Sequence, residues 1–172
     1  MAKYFTLDTD LYRMGDSRSY SCKTCKKAYG FDILKHGEKM KNWQWVAVAC
    51  FVILTLAISY ADWNGSKVWI EFQANGWLKF IFQYIYYIFE TALVLLILIF
   101  GQKACELWFH NTKIPYGGII VALTWGIAHF FTKDYMTGVL SMISGFAFGS
   151  VYLLTNRDVR KAYWLLFAMF VL

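Results

Sequence analysis

Charged residues are scarce in this sequence: Asp, Glu, Lys and Arg make up 16% of 172 residues, whereas 59% are hydrophobic. Proline occurs only once. Intrinsic disorder requires low hydrophobicity and high charge, so this composition excludes it. An ordinary soluble domain is also disfavoured, because about a quarter of its residues would be charged. The length fits one domain, and the excess of apolar residues predicts an integral membrane protein.

The polar part of the chain is its first 42 residues, which hold nine of the 17 Lys and Arg. This segment lacks the apolar core of a signal peptide, so no cleaved signal is expected. Basic flanks of membrane helices stay in the cytoplasm, and we therefore predict a basic cytoplasmic head over residues 1–42. Such residues commonly attract anionic lipid. Nucleic-acid binding is not expected, because acids interrupt the basic residues and no reader motif is present.

Five apolar blocks follow the head. A membrane helix needs roughly 20 apolar residues, and four of the blocks reach that length. The predicted spans lie near 43–61, 80–100, 114–132 and 136–155, with a short apolar helix at 162–172 and the longest loops at 62–79 and 101–113. The predicted fold class is an all-α polytopic membrane helix bundle with four spanning helices, a short C-terminal helix and the N-terminus in the cytoplasm.

Two cysteines in the head form a C-x-x-C motif, Cys22 and Cys25, and His36 follows them. Thiolates at this spacing can hold zinc, but a closed structural site needs four ligands and only three candidates are present. Zinc binding, a redox role and no special role all stay open. The other two cysteines, Cys50 and Cys105, are expected to be small apolar or interfacial residues.

Two ionisable residues interrupt the predicted spans: Glu90 in the second and His129 in the third. Polar groups in lipid are costly, so both are candidates for function. If they face each other across neighbouring helices, the pair could activate a water molecule inside the membrane. The alternatives are a buried polar pair that fixes helix packing, or a neutral Glu90 bonded to a backbone carbonyl.

The fourth span is rich in small residues, and Gly145 and Gly149 form a G-x-x-x-G motif. Small residues allow two helix backbones to approach closely. The pattern favours packing against another helix of the same chain, and homodimerisation through this face is the alternative.

From residue 117 onward the chain resembles the CPBP group, the CAAX protease and bacteriocin-processing (Abi) family of membrane proteins. The family's second motif is an aromatic residue followed four positions later by a histidine, here Trp125 and His129. The glycine-rich helix G-x-x-x-G-x-x-Y-x-x-T is matched by Gly145, Gly149, Tyr152 and Thr155. The resemblance implies a helical membrane core that cleaves peptide bonds, with two adjacent glutamates activating water and histidines stabilising the oxyanion.

The sequence departs from the other two motifs of this family. For the motif E-E-x-x-x-R it offers three registers, which place at the two acids Glu90-Thr91, Gln102-Lys103 or Cys105-Glu106, and at the arginine Leu95, Leu107 or His110. None supplies two acids or the arginine. The third motif, a histidine or asparagine near Leu165–Phe170, finds no polar residue there.

These departures favour a catalytically degenerate relative in a bacterial cytoplasmic membrane. It would bind a peptide or a partner membrane protein between the second, third and fourth spans, as an immunity protein or a subunit of a complex. One alternative is a minimal intramembrane endopeptidase that uses His129 with Glu90, or less favourably with Glu106. Another is a small channel or transporter subunit that relays protons through Glu90 and His129.

Overall fold

The computed structural model describes residues 37–172, and every regular element in that range is helical. The helices are α1 (Asn42–Asp62), α2 (Lys67–Phe109), α3 (Tyr116–Thr132), α4 (Tyr135–Leu154) and α5 (Val159–Val171). Helices α1, α2 and α4 are long and apolar enough to cross a membrane. The all-helical prediction is confirmed for these residues, and the apolar helices indicate a membrane protein. Helix α3 is apolar but shorter, so the number of four spans stays a prediction.

Most of the predicted basic head lies outside the described residues. This includes all three candidate zinc ligands, Cys22, Cys25 and His36. Within residues 37–172, no group of three or more His, Cys, Asp and Glu side chains could hold a metal ion.

Helix α2 is much longer than the predicted span at 80–100, so the predicted loops at 62–79 and 101–113 are largely wrong. Only residues 63–66 separate α1 from α2, and α2 continues to Phe109. The scattered charges of these stretches predict loops. In the structure most of these charged residues lie on α2, and one of them, Glu71, is buried with a relative exposure of 4%.

A sharp bend at Gly76 divides α2 into two arms, 67–75 and 77–109. Gly76 has φ +66° and ψ 170°, a conformation in which a side chain would be strained. Across the bend, Asn75 Nδ2 donates to Gln83 Oε1 at 2.6 Å. Glu71 Oε1 accepts from Tyr87 Oη at 2.7 Å. Because these partners pair in reverse order along the chain, the short arm folds back against the start of the long one.

Helices α3 and α4 pack with their backbones in close approach. A Cβ atom added to Gly149 would lie 2.5 Å from the Cα atom of Gly118, and one added to Gly145 would lie 2.8 Å from the nitrogen of Ala122. Tyr152, one turn further along α4, is 3% exposed. The glycine face considered for homodimerisation is therefore covered by α3 of the same chain.

The last helix, α5, lies beside α1 and α2. It begins at Val159, three residues before the predicted short helix, because the Asp158 carboxylate caps it by accepting from the backbone amides of Arg160 and Lys161. At its other end the Leu172 carbonyl lies 3.5 Å from the hydroxyl of Ser59 on α1. This arrangement brings the C-terminal residues of α5 to the same part of the molecule as the start of α2.

Candidate functional site

A cavity of about 1000 Å³ lies between the helices, and all five contribute to its lining. This volume is at the upper end of the usual range for ligand pockets. The ionisable residues that line it are Asp62, Glu71, Glu90, Asp134, Lys67, Lys133 and His129. Aromatic side chains from several helices form much of the remaining wall: Phe51, Trp63, Tyr86, Tyr87, Trp125, Phe146, Phe148 and Phe170. The cavity is thus aromatic with an excess of acids.

Trp125 connects the two ionisable residues predicted from the sequence. Its indole Nε1 donates to Glu90 Oε1 at 3.0 Å, and its backbone carbonyl lies 2.7 Å from His129 Nδ1. A carbonyl oxygen only accepts hydrogen bonds, so His129 carries a proton on Nδ1. In the neutral ring Nε2 is then an acceptor, and it has no hydrogen-bond partner within residues 37–172.

Glu90 and His129 line the same cavity but do not form a pair. No ion pair within 4.0 Å joins them in the part of the chain that the structure describes. Instead, each makes its hydrogen bond to a different group of Trp125. Glu90 and His129 are therefore neighbours through Trp125, whose indole contacts both the carboxylate and the imidazole ring.

A π-helical turn in α3, Ala122–Gly126, contains Trp125. Such turns are rare and occur often at functional sites, because the extra residue changes where the neighbouring side chains lie. Gly126 directly follows Trp125 and packs on α4: an added Cβ would lie 2.9 Å from the Cα atom of Met142. Close packing of Gly126 and the wider turn together set the position of the α3 backbone at Trp125.

A buried carboxylate that the sequence reasoning missed belongs to Glu71. Its Oε1 accepts from Gln83 Nε2 at 2.8 Å and from Tyr87 Oη at 2.7 Å. Its Oε2 is buried and has no hydrogen-bond partner of good geometry, although the Tyr84 hydroxyl, likewise buried and unpartnered, interacts with the same carboxylate. Glu71 lies in the predicted loop 62–79, although its spacing of four residues from Lys67, and the same spacing between Gln83 and Tyr87, are typical of one helix face.

Lys67 lies at the same end of the cavity, within three aromatic rings. Its Nζ is 5.0 Å from the ring centroid of Tyr87, 5.4 Å from that of Phe170 and 5.9 Å from that of Trp63. It also donates to the Phe170 carbonyl at 2.8 Å. The ammonium thus caps the C-terminal end of α5, where the helix dipole favours a positive charge.

Asp134 stands where the cavity meets the turn between α3 and α4. The hydroxyl and the backbone amide of Thr137 both donate to it, at 2.6 and 2.9 Å. These hydrogen bonds hold the pKa of Asp134 below its usual value. It therefore adds a fixed negative charge at the edge of the site.

Glu106, the less favoured candidate base, does not line this cavity. Its carboxylate forms an ion pair with Arg157 at 2.6 Å and accepts from Gln102 at 2.7 Å. Gln102 in turn accepts from the backbone amide of Gly117 at 2.9 Å. This cluster ties the end of α2 to the start of α3 and the end of α4, away from the cavity that His129 lines.

The wall that α5 contributes to the cavity is apolar, formed by Met169 and Phe170. The ring of Phe170 lies 5.6 Å from that of Trp125 and 5.3 Å from that of Tyr87. These residues belong to the stretch Leu165–Phe170 in which the CPBP resemblance expects a polar residue.

No family model, curated protein or solved structure matches this chain.

Proposed function

We propose that this protein is a helical membrane protein that binds a peptide, or a segment of a partner membrane protein, in the cavity and does not cleave it. The observation that carries the proposal is the bond between Glu90 and the Trp125 indole. This bond engages one oxygen of the Glu90 carboxylate with the indole rather than with His129, at the wall of an aromatic cavity.

Three further features support binding over hydrolysis. A carboxylate that activates water gains from a histidine or second acid nearby, and Glu90 has neither as an ion-pair or hydrogen-bond partner among residues 37–172. Thr91, which follows Glu90 where the CPBP motif has its second acid, is buried, and its hydroxyl has no hydrogen-bond partner. The part of the wall that α5 contributes, Met169 and Phe170, offers no polar side chain to stabilise an oxyanion, and loss of one such donor costs orders of magnitude in rate.

We further propose that the protein is a catalytically degenerate relative of the CPBP family in a bacterial cytoplasmic membrane. The basic head and the basic residues Arg157, Arg160 and Lys161 support an orientation with the N-terminus in the cytoplasm, because Gln44 near the head bonds to Asn156 beside those residues at 2.7 Å. Both basic groups would then lie on one side of the membrane.

An intramembrane endopeptidase is the second candidate. It is favoured by one observation: Glu90 and His129 line a single cavity, with the Nε2 atom of His129 unbonded. A modest shift of Trp125 would leave both groups open to a water molecule, as general acid–base chemistry requires.

One experiment tests both candidates. A pool of random nonapeptides is incubated with the protein in lipid nanodiscs, and retained and cleaved peptides are identified by mass spectrometry. We expect intact peptides to be retained, with retention at least about 10-fold lower in Ser144→Trp, where the indole would project into the cavity and obstruct part of it. Ser150→Trp, on the same helix but not in the cavity lining, is the matched control.

The outcomes separate the candidates. Equal retention by wild type and Ser144→Trp would refute binding in this cavity. Cleavage by the wild type that is lost in both Glu90→Gln and His129→Ala would establish the endopeptidase instead.

A further inference from the structure

We propose that the occupant of this cavity carries a cationic group, a primary ammonium or a guanidinium, held by Glu71 and Glu90 among the aromatic rings. The inference rests on the proposed binding function and specifies the chemistry of the ligand.

The charge of the two carboxylates is not balanced by an ion pair. Neither Glu71 nor Glu90 has an ion-pair partner within 4.0 Å in the described part of the chain. Glu71 is 4% exposed and its Oε2 is unbonded. A buried carboxylate oxygen without a partner is costly, and a ligand that donates hydrogen bonds and carries positive charge would remove that cost.

The two carboxylates lie in one region of the cavity. Tyr87 donates to Glu71, and Trp125 donates to Glu90. Both rings pack on that of Phe170, at 5.3 and 5.6 Å, and the Lys67 ammonium interacts electrostatically with both acids. One lysine balances only one of the two charges. Moreover, its ammonium is directed to the Phe170 carbonyl, 2.8 Å away. The region keeps an excess of negative charge.

The wall of the cavity keeps unused hydrogen-bond acceptors. A carboxylate offers about four acceptor sites; on Glu90 the Trp125 indole uses one, and the Tyr86 hydroxyl interacts with the same group. Nε2 of His129, bonded to nothing within residues 37–172, is a further acceptor when the ring is neutral. A wall of acceptors selects a ligand with several N–H donors.

The chain already holds one ammonium group among aromatic rings of this cavity. Lys67 Nζ lies over the rings of Tyr87, Phe170 and Trp63. The faces of such rings attract cations, and Tyr86 and Trp125 add two more rings to the same cavity. A second cation in this cavity would meet aromatic rings of the same kind.

The test compares two probes that differ by one ammonium group, N-acetyl-phenylalanyl-lysinamide and its norleucine counterpart. Their affinities for the full-length protein in nanodiscs are measured by titration calorimetry. We expect the lysine probe to bind wild-type protein at least about 10-fold more tightly, the size of one desolvated charge interaction. In Glu90→Gln and Glu71→Gln this ratio should fall below about three, whereas Glu38→Gln, an exposed acid not in the cavity lining, should keep it.

A wild-type ratio near one, or failure of both probes to bind, would overturn the inference without any variant. Persistence of the preference in both glutamine variants, each verified as folded by its thermal unfolding, would overturn it as well. If both probes bind equally and Ser144→Trp blocks both, the cationic inference fails while binding in the cavity stands. If neither probe binds and the nonapeptide pool is not retained, both fail.

Discussion

The close packing of α3 on α4 makes a quantitative prediction about Gly149. In Gly149→Ala the new Cβ would lie 2.5 Å from the Cα atom and 2.6 Å from the nitrogen of Gly118. Both are backbone atoms of a helix, so no side-chain rotation can relieve the contact. Non-bonded carbon atoms prefer about 3.5–4.0 Å, and the two helices would therefore have to separate locally by about 1 Å.

The expected cost follows from two opposing effects. Overpacking of this kind costs about 1–3 kcal/mol, whereas replacing glycine by alanine within a helix gains up to about 1 kcal/mol. We expect a net loss in the free energy of unfolding of about 1–2 kcal/mol. Since α3 also carries Trp125 and His129, the same displacement should lower peptide retention in the assay of the proposed function.

Gly101→Ala provides the matched control. There the added Cβ would meet the Cδ1 atom of Ile120 at 2.7 Å, the far end of a flexible side chain that can rotate away. We expect no loss of stability in this variant. Unfolding would be followed by circular dichroism during titration of micelles with a denaturing detergent. If Gly149→Ala proves as stable as Gly101→Ala, the helix spacing on which the argument depends is wrong.

Two more predictions concern the ends of α5. Burial raises the pKa of Asp158, but hydrogen bonds and charge from Lys161 outweigh it, so the pKa lies below its usual value. The stabilisation is present above the unfolded pKa of about 3.9 and is lost as pH falls through the folded one. Thermal unfolding should therefore show Asp158→Asn less stable than wild type at pH 7, with the difference shrinking below about pH 4; a difference that does not change with pH would contradict this. Lys67→Met should speed hydrogen exchange in the last turn of α5 and cost about 1–3 kcal/mol, while Lys79→Met, an exposed lysine on the same helix, should do neither; equal exchange in both variants would refute the role of Lys67.

Apolar blocks predicted the helices well, because length and hydropathy decide which segments can leave water. Charges placed the ends of α2 poorly. The loop predicted at 62–79 is mostly helix because the partner of Glu71 is Tyr87, sixteen residues further on and beyond the bend at Gly76. Counting charges along the chain cannot detect a carboxylate whose partners are brought to it by such a bend.

Glu90 and His129 could be predicted as candidates because an ionisable residue in an apolar run is conspicuous. Their relation could not, since it depends on which face of α3 carries Trp125, and a π-helical turn at Ala122–Gly126 alters that face. A π-helical turn inserts one residue into the helix. Compared with an uninterrupted α-helix, the side chains that follow it are rotated by about 100° around the helix axis. The indole that separates the carboxylate from the imidazole is thus the consequence of a local irregularity. Under the proposed function, the π-helical turn places Trp125 so that the Glu90 carboxylate bonds to the indole rather than to His129.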